Sequence, residues 1–408
     1  MEIMSPAGSF ESLNAAIKAG ADSIYFGVEQ LNMRARSSNN FSLADIHTVA
    51  ATCRKNHVKA YLTLNTIIYD HDINLMHNII QEARTSNISA IIASDHAVMA
   101  QAKKVGIPVH ISTQANVCNI ETVKFYSSYA DVMVLARELS LTQSAAIIRE
   151  IKRRAIKGPS GYLIKIEIFA HGALCMAISG KCYMSLHSNF ASANRGACVQ
   201  NCRHEYIVTD REEGTEYEID NAYIMSAKDL CTIDFLDKIA DTGVHVLKIE
   251  GRGRAPDYVY TTTKCYREAV DAIGNNSYTK ERIDCWKDQL SKVYNRGFWD
   301  GYYLGRKTGE WSDSYGSKAT ERKLFLGKGL KYYSNKKVGE FQMETHSLKG
   351  GDEILITGPH TGAIRTVVTE LRINDEPVAQ VLKGVRFSMP LPEPIRPSDK
   401  LYKIISNA

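Results

Sequence analysis

Five cysteines crowd into one stretch of this 408-residue chain: Cys175, Cys182, Cys198, Cys202 and Cys231, spaced C-x6-C-x15-C-x3-C-x28-C. The pattern lacks the C-x2-C pairs of a zinc ribbon and the C-x-x-C of a redox dithiol. Four thiolates gathered from scattered loops suit an iron–sulfur cluster, which needs no fixed local spacing. Zinc and a catalytic or merely buried set are the alternatives that spacing leaves open. A thiolate activated by His171 or His204 would make a Cys–His peptidase. Cys53, Cys118, Cys265 and Cys285 fall on apolar stripes, strand ends or helices and read as small hydrophobes.

Composition limits the setting. Hydrophobic residues make up 44% and charged residues 23%, as in an ordinary globular protein, and the net charge is only +5. The N-terminal M-E-I-M-S-P-A-G has neither a basic nor an apolar leader region, and no apolar run reaches the ~18 residues of a membrane span. The expectation is a cytoplasmic protein without membrane contact, where stable disulfides are rare and clustered thiols bind metal or catalyse.

Elements that could position such thiols repeat along the first 250 residues. Eight apolar runs read as strands: Glu2–Met4, Ser23–Gly27, Lys59–Asn65, Ala90–Ser94, Val109–Thr113, Val132–Ala136, Leu163–Ala170 and Val246–Glu250. Helical stripes fill the gaps, as in Phe10, Leu13, Ile17 and in Ile73, Met76, Ile79, Ile80, Ala83. Ser42 and Asp70 or Asp72 are the expected caps of the second and third helices. Strand–helix repeats predict a parallel sheet, and eight of them suit a (β/α)8 TIM-like barrel. No G-x-G-x-x-G follows the first strand, which argues against a dinucleotide-binding open sheet.

Barrel chemistry sits at the C-terminal strand ends. The polar residues there are Asn65, Gln114, Asn116, Arg137, Glu138, His171, Glu250 and Arg252, with Glu167 inside the seventh strand. The unit after that strand is overlong. A Cys-rich insertion, 171–245, carries all five clustered thiols, an expected hairpin (His204–Thr209 with Tyr217–Met225, turning at Glu213-Gly214) and an expected helix from Asp229. Two helical stretches follow, around Asp257–Ile273 and Lys280–Val293. Asn295–Gly305 reads as irregular and packed. Residues 1–316 thus form the barrel, and 317–408 read as a small C-terminal all-β barrel domain. Its leading edge sets Lys318, Arg322, Lys323, Lys328, Lys331, Lys336 and Lys337, with Tyr332 and Tyr333, against Glu321 alone. Cations among aromatics suit a phosphate backbone and stacked bases, with Lys328, Lys331 and Lys336 as the RNA candidates. The alternative is a charged edge strand that blocks aggregation.

Glu167–Ser185, E-I-F-A-H-G-A-L-C-M-A-I-S-G-K-C-Y-M-S, resembles the signature of the collagenase-like U-thirty-two peptidase family. The opening S-P-A-G-S, the K-I-E-G-R of Lys248–Arg252 and the N-R-G-F segment fit it too. The resemblance spans essentially the whole chain. It implies a [4Fe–4S] protein of the oxygen-independent hydroxylation branches. By length and β appendage it is most similar to the TrhP-type branch, which makes 5-hydroxyuridine at the tRNA wobble position with prephenate as an implied co-substrate. It implies cluster ligation by Cys175, Cys182, Cys198 and Cys231, with Cys202 as the alternative fourth ligand. Glu167, His171, Arg137 and Glu250 are then the catalytic candidates. Gln114, Arg195 and Arg252 are candidates for binding the oxygen donor, since Arg matches carboxylates bidentately. The other readings are a metal- or thiol-dependent peptidase and a non-catalytic RNA-binding or assembly subunit.

Overall fold

The computed structural model describes residues 1–36, 39–207, 212, 223–305 and 309–407. Seven parallel strands come first: β1 (Glu2–Pro6), β2 (Ser23–Phe26), β3 (Lys59–Leu64), β4 (Ala90–Ala93), β5 (Val109–Ile111), β6 (Val132–Val134) and β7 (Lys165–Gly172). Then come β8 (Asp229–Cys231) and β9 (Val246–Ile249). Each of β1 to β7 pairs with the next, and β9 pairs in parallel with both β7 and β1, so eight strands close a ring. This is the expected (β/α)8 TIM-like barrel.

Helices clothe the ring because each buries an apolar stripe. Leu13, Ile46, Val49, Met76, Ile79 and Ile80 are all at or below 1% exposure. Side-chain caps start several of them: Ser9 accepts from the Ser12 amide, Asp95 from that of Ala97, and Ser140 closes a capping box with Gln143. Ser42 plays the reverse of its expected part. Its amide and hydroxyl both donate to the Asp45 carboxylate at 2.8 Å, and helix Asp45–Lys55 has no side-chain cap. Asp72 likewise accepts from the Tyr69 amide, ahead of helix Ile73–Thr85. Among the described residues no helix is long and apolar enough to cross a membrane.

The insertion leaves the top of β7. It contains helix Met184–Asn189 and single turns at Ala193–Arg195 and Asn201–Arg203. The expected hairpin falls largely outside the described residues. The expected helix from Asp229 is instead the strand β8, antiparallel to the end of β7, and the helix begins later, at Leu236–Asp241. Tyr266 holds this turn of chain extended: its hydroxyl accepts from the Thr232 amide at 3.0 Å and donates to the Ala170 carbonyl at 2.8 Å. A short strand β10 (Phe298–Trp299) pairs with β8, and Trp299 and Tyr303 are buried, so Asn295–Gly305 does pack.

Antiparallel strands follow: β11 (Glu321–Tyr333), β12 (Val338–Met343), β13 (Ser347–Lys349), β14 (Glu353–Gly358), β15 (Gly362–Val367), β16 (Leu371–Ile373), β17 (Glu376–Val378), β18 (Gln380–Leu382), β19 (Arg386–Pro390) and β20 (Lys400–Ser406). Eight form one sheet, ordered β15-β14-β20-β11-β12-β19-β16-β17, and β13 pairs with β18. Both enclose a single core that includes Leu326, Phe341, Ile356, Val381, Phe387 and Leu401. Together they make the expected all-β C-terminal unit. Ala15, Leu355 and Ala363, flanked by Tyr260, Tyr402 and Ile404, form an apolar seam between this sheet and the barrel's helices.

Candidate active site

A cavity of about 410 Å³ opens at the C-terminal ends of the barrel strands, beneath the insertion. Among the described residues five cations line it, Arg34, Arg137, Lys181, Lys248 and Arg252, against one carboxylate, Glu250. Tyr25, Ile92, Val134 and Phe169 supply an apolar floor. Such walls exclude water and strengthen the field of the cations, so the cavity suits a compact anion with an apolar body.

Glu250 is the hub. Its carboxylate meets Arg34 at 2.7 Å and accepts from the Tyr25 hydroxyl at 3.1 Å. Burial pushes its pKa up, but Arg34, Arg137 and Arg252 together outweigh burial and hold it at about 2. It is therefore a fixed counter-charge and a poor proton carrier near neutral pH. Arg252 is buried, donating to Asn32 at 2.9 Å and Thr63 at 2.8 Å, and burial lowers its pKa to about 10. Arg137 lies over the Phe169 ring at 3.7 Å and donates to the Ala173 carbonyl at 2.8 Å. Its Nε is buried without a partner among the described residues, a donor available to a bound acid. Gln114 accepts from Asn65 at 3.1 Å and from the Ser112 hydroxyl, which orients its amide at the wall.

Three of the expected site residues lie elsewhere. Glu167 does not line the cavity. It lies one layer below, wholly buried, and grips Lys248 at 2.8 Å. His171 points out of the barrel. The β7–β9 register slips between Phe169 and His171, and this bulge reverses the alternation: Phe169 faces the cavity and His171 packs among Tyr258, Tyr266 and Phe298. Arg195 is spent elsewhere, paired with Asp72, donating to the Ile67 carbonyl at 2.8 Å and lying over Tyr69. Arg34, Lys248 and Tyr25 line the cavity, and sequence reasoning passed over them. The signal for Lys248 was present, since it lies two residues before Glu250 on an inward-facing strand position.

The thiols divide into two groups. Cys175, Cys182, Cys198 and Cys202 all line the cavity. Burial raises the Cys202 thiol, Arg203 opposes this, and Cys175, Cys198 and Cys182 act on it as close like charges. Cys231 stands apart on β8, buried beside Tyr266, where burial raises its thiol to about 11. The geometry thus favours Cys202 over Cys231 as the fourth member of the set. As the loops lie, no three His, Cys, Asp or Glu side chains among the described residues are close enough to hold a single ion. The donor set still suits an iron–sulfur cluster: four thiols on a loop, facing one opening.

A Cys–His peptidase is poorly served. His171 and Cys231 approach a common Tyr266, but burial lowers the imidazole to about 3 and raises the thiol, so no thiolate–imidazolium pair forms. His204 packs edge-on to Tyr315. The cations in and around β11 are in part neutralised. Lys323 pairs with Asp257 at 2.6 Å, Lys328 with Glu344 at 3.3 Å and Lys318 with Asp313 at 2.6 Å. Lys331 lies over the Tyr333 ring, and Lys336 lines a groove with Glu340 and Glu370.

Residues 8–313 match the model of Peptidase family U32. The chain belongs to this family. Within it, the chain is 56% identical over 402 residues to a protein named collagenase from Porphyromonas gingivalis, covering 98% of this chain and 97% of that one. It is 30% identical over 414 residues to tRNA hydroxylation protein P1 of Bacillus subtilis, covering 98% and 94%. It is 32% identical over 317 residues to the 23S rRNA 5-hydroxycytidine C2501 synthase of Escherichia coli, covering 75% of this chain and 46% of that one. Relatives of this U32 chain therefore carry both protease and RNA-hydroxylation names.

Proposed function

We propose that this U32 protein hydroxylates a pyrimidine base of an RNA, with the wobble uridine of tRNA as substrate and 5-hydroxyuridine as product. The observation that carries the reading is the cationic cavity rimmed by four thiols, in a chain aligned nearly end to end with a relative named for tRNA hydroxylation. The base is turned out of its stack to reach the barrel mouth. Arg137, Arg252 and Arg34 hold the carboxylates of an oxygen donor, for which prephenate is the proposed identity. Gln114 and Asn65 present amide groups to the base edge. Glu250 keeps the three guanidinium groups apart and aimed. Cys175, Cys182, Cys198 and Cys202 would hold a [4Fe–4S] cluster, whose chemistry would be electron transfer or polarisation of the donor without molecular oxygen.

The experiment is mass spectrometry of tRNA and rRNA nucleosides from a deletion strain. Loss of 5-hydroxyuridine is expected. Loss of 5-hydroxycytidine alone would redirect the reading to rRNA, and unchanged levels of both would overturn it. A second reading, proteolysis, is favoured by the collagenase name of a relative that is 56% identical. It requires gelatin cleavage by pure, metal-depleted protein that is lost on Cys175→Ser. A binding or assembly subunit would instead retain tRNA affinity with no nucleoside defect on deletion.

A further inference from the structure

The interior of the barrel sets titratable groups among the apolar side chains that fill such barrels, here Met4, Ile92, Val132 and Val246. On the inward face, a column of titratable groups runs from the N-terminal end to the cavity. At the bottom, Glu2 meets Lys59 at 2.6 Å and accepts from the Tyr61 hydroxyl at 2.9 Å. The Tyr61 ring packs on His110 with centroids 4.5 Å apart. His110 Nδ1 lies 3.9 Å from Glu167 Oε2, and Glu167 Oε1 accepts from Lys248 Nζ at 2.8 Å. Lys248 lines the cavity. The strand register puts all of these on one side: His110 pairs with Ile92, Glu167 with Val134 and Val246, and Tyr61 with Ala90.

Two atoms in the middle of this column lack partners. His110 Nδ1 and Glu167 Oε2 are both buried with no hydrogen bond among the described residues. They face each other, beyond direct hydrogen-bond range but within reach of a small rotation of either side chain. Leaving two such atoms unpaired costs stability, and an apolar pair would avoid that cost. The column persists despite the cost, next to a lysine that presents its ammonium both to Glu167 and to the cavity.

We infer that the His110–Glu167 pair is a proton store coupled to the cavity through Lys248. An anion seated on Lys248 weakens the hold of the ammonium on Glu167, and a proton from solvent then settles between the Glu167 carboxylate and the His110 imidazole. His110 keeps 6% exposure, which supplies the route in. If the bound molecule takes a proton from the Lys248 ammonium, Glu167 returns one to Lys248 and His110 refills Glu167, so the net transfer is one proton from solvent to the ligand. Every charged neighbour belongs in this balance: Lys248 from β9, Glu2 from β1, Lys59 and Tyr61 from β3, and Lys165 from β7. Lys248 also faces Tyr25, with its ammonium 4.5 Å from the ring centroid. The store requires only that the cavity binds anions, whatever RNA the enzyme serves.

The test is calorimetry of malonate, a small dianion, binding to the full-length protein near neutral pH in two buffers of different ionisation enthalpy. Wild type should take up about one proton per malonate bound. Glu167→Gln, which keeps the shape of the side chain, and His110→Phe should each abolish most of that uptake while malonate still binds. Lys248→Met should weaken binding by about tenfold or more. Binding without proton uptake, uptake unchanged in both variants, or no malonate binding would each overturn the inference. Normal tRNA nucleosides in a deletion strain would not touch it, so the two readings fail separately.

Discussion

Cations gather at the barrel mouth and along β11, and the two regions treat them in opposite ways. Along β11 two of the four cations are paired among the described residues, Lys323 with Asp257 and Lys328 with Glu344, and the strand's one acid, Glu321, is taken by Arg365 of β15. At the mouth, five cations line the cavity with one lining carboxylate among the described residues, and one of them, Lys248, is held from below by the buried Glu167. The run of lysines is the more conspicuous in sequence, but Lys323, Lys328 and Lys331 are exposed, where solvent and salt screen them. Charge density along a chain does not measure potential, because acids far away in sequence arrive to cancel it.

The strongest test of this contrast removes the hub. Glu250→Gln leaves Arg34 and its neighbours without their buried counter-charge. It should cost about 3 kcal/mol in urea unfolding, the usual penalty for breaking a buried pair. A loss well under 1 kcal/mol would mean the mouth is solvated and the contrast false.

Acid should act both at the mouth and on the outward face of β7. The folded-state pKa of Glu250 is depressed to about 2, so its stabilisation is fully present above the ordinary value of 4.5 and is lost as pH falls from there toward 2. His171, buried and held neutral with a pKa of about 3, stabilises above its ordinary value of 6.5. That stability is lost at about 1.4 kcal/mol per pH unit as pH falls below 6.5, because the unfolded state binds the proton first. Thermal melts of His171→Phe between these values should show a shallower pH slope than wild type. An equal slope would place His171 in solvent.

Two cysteine variants, one at the rim of the mouth and one away from it, probe the choice of fourth ligand. Protein purified without oxygen should be brown and lose at least half its iron on Cys202→Ala. Cys231→Ala should keep its iron and cost about 1 kcal/mol of stability from lost packing. Iron lost only from Cys231→Ala would reverse the choice of fourth ligand, and colourless protein with stoichiometric zinc would end the cluster proposal.

The smallest effect belongs to the sheet. Reversing Lys328, Lys331 and Lys336 to Glu should weaken tRNA binding about three- to tenfold at moderate salt and flatten its salt dependence. A far larger loss in filter binding would make β11 the principal RNA surface. No loss at all would leave the mouth to hold the RNA alone.

Much of the fold was legible because eight short apolar runs and 3.6-residue stripes carry the same message. The set of strand-end residues was legible for the same reason, and Gln114, Arg137, Glu250 and Arg252 do converge on the cavity. What stayed hidden depends on contacts between distant residues. One slipped position sends His171 outward, a shift that alternation alone cannot reveal. Cys231 shares a motif with the other thiols but is carried away by its pairing with β7. Arg195 meets Asp72 across 123 positions of sequence. Arg34 follows β2 in a loop with no pattern of its own, and only the closed ring brings it to Glu250.

The extra residue in β7 also bears on how this barrel could change. Deleting Ala170 would set His171 directly after the inward Phe169 and leave the imidazole outward, opposite Ile249 as it is now. The bulge therefore changes the length of β7 without changing which side chains its neighbours on β9 meet. The shortest path to a general base in the mouth is instead a substitution at Phe169, whose ring already lies beside Arg137 and Lys248. Directed-evolution libraries for new activities in this scaffold should vary position 169 before they vary strand length.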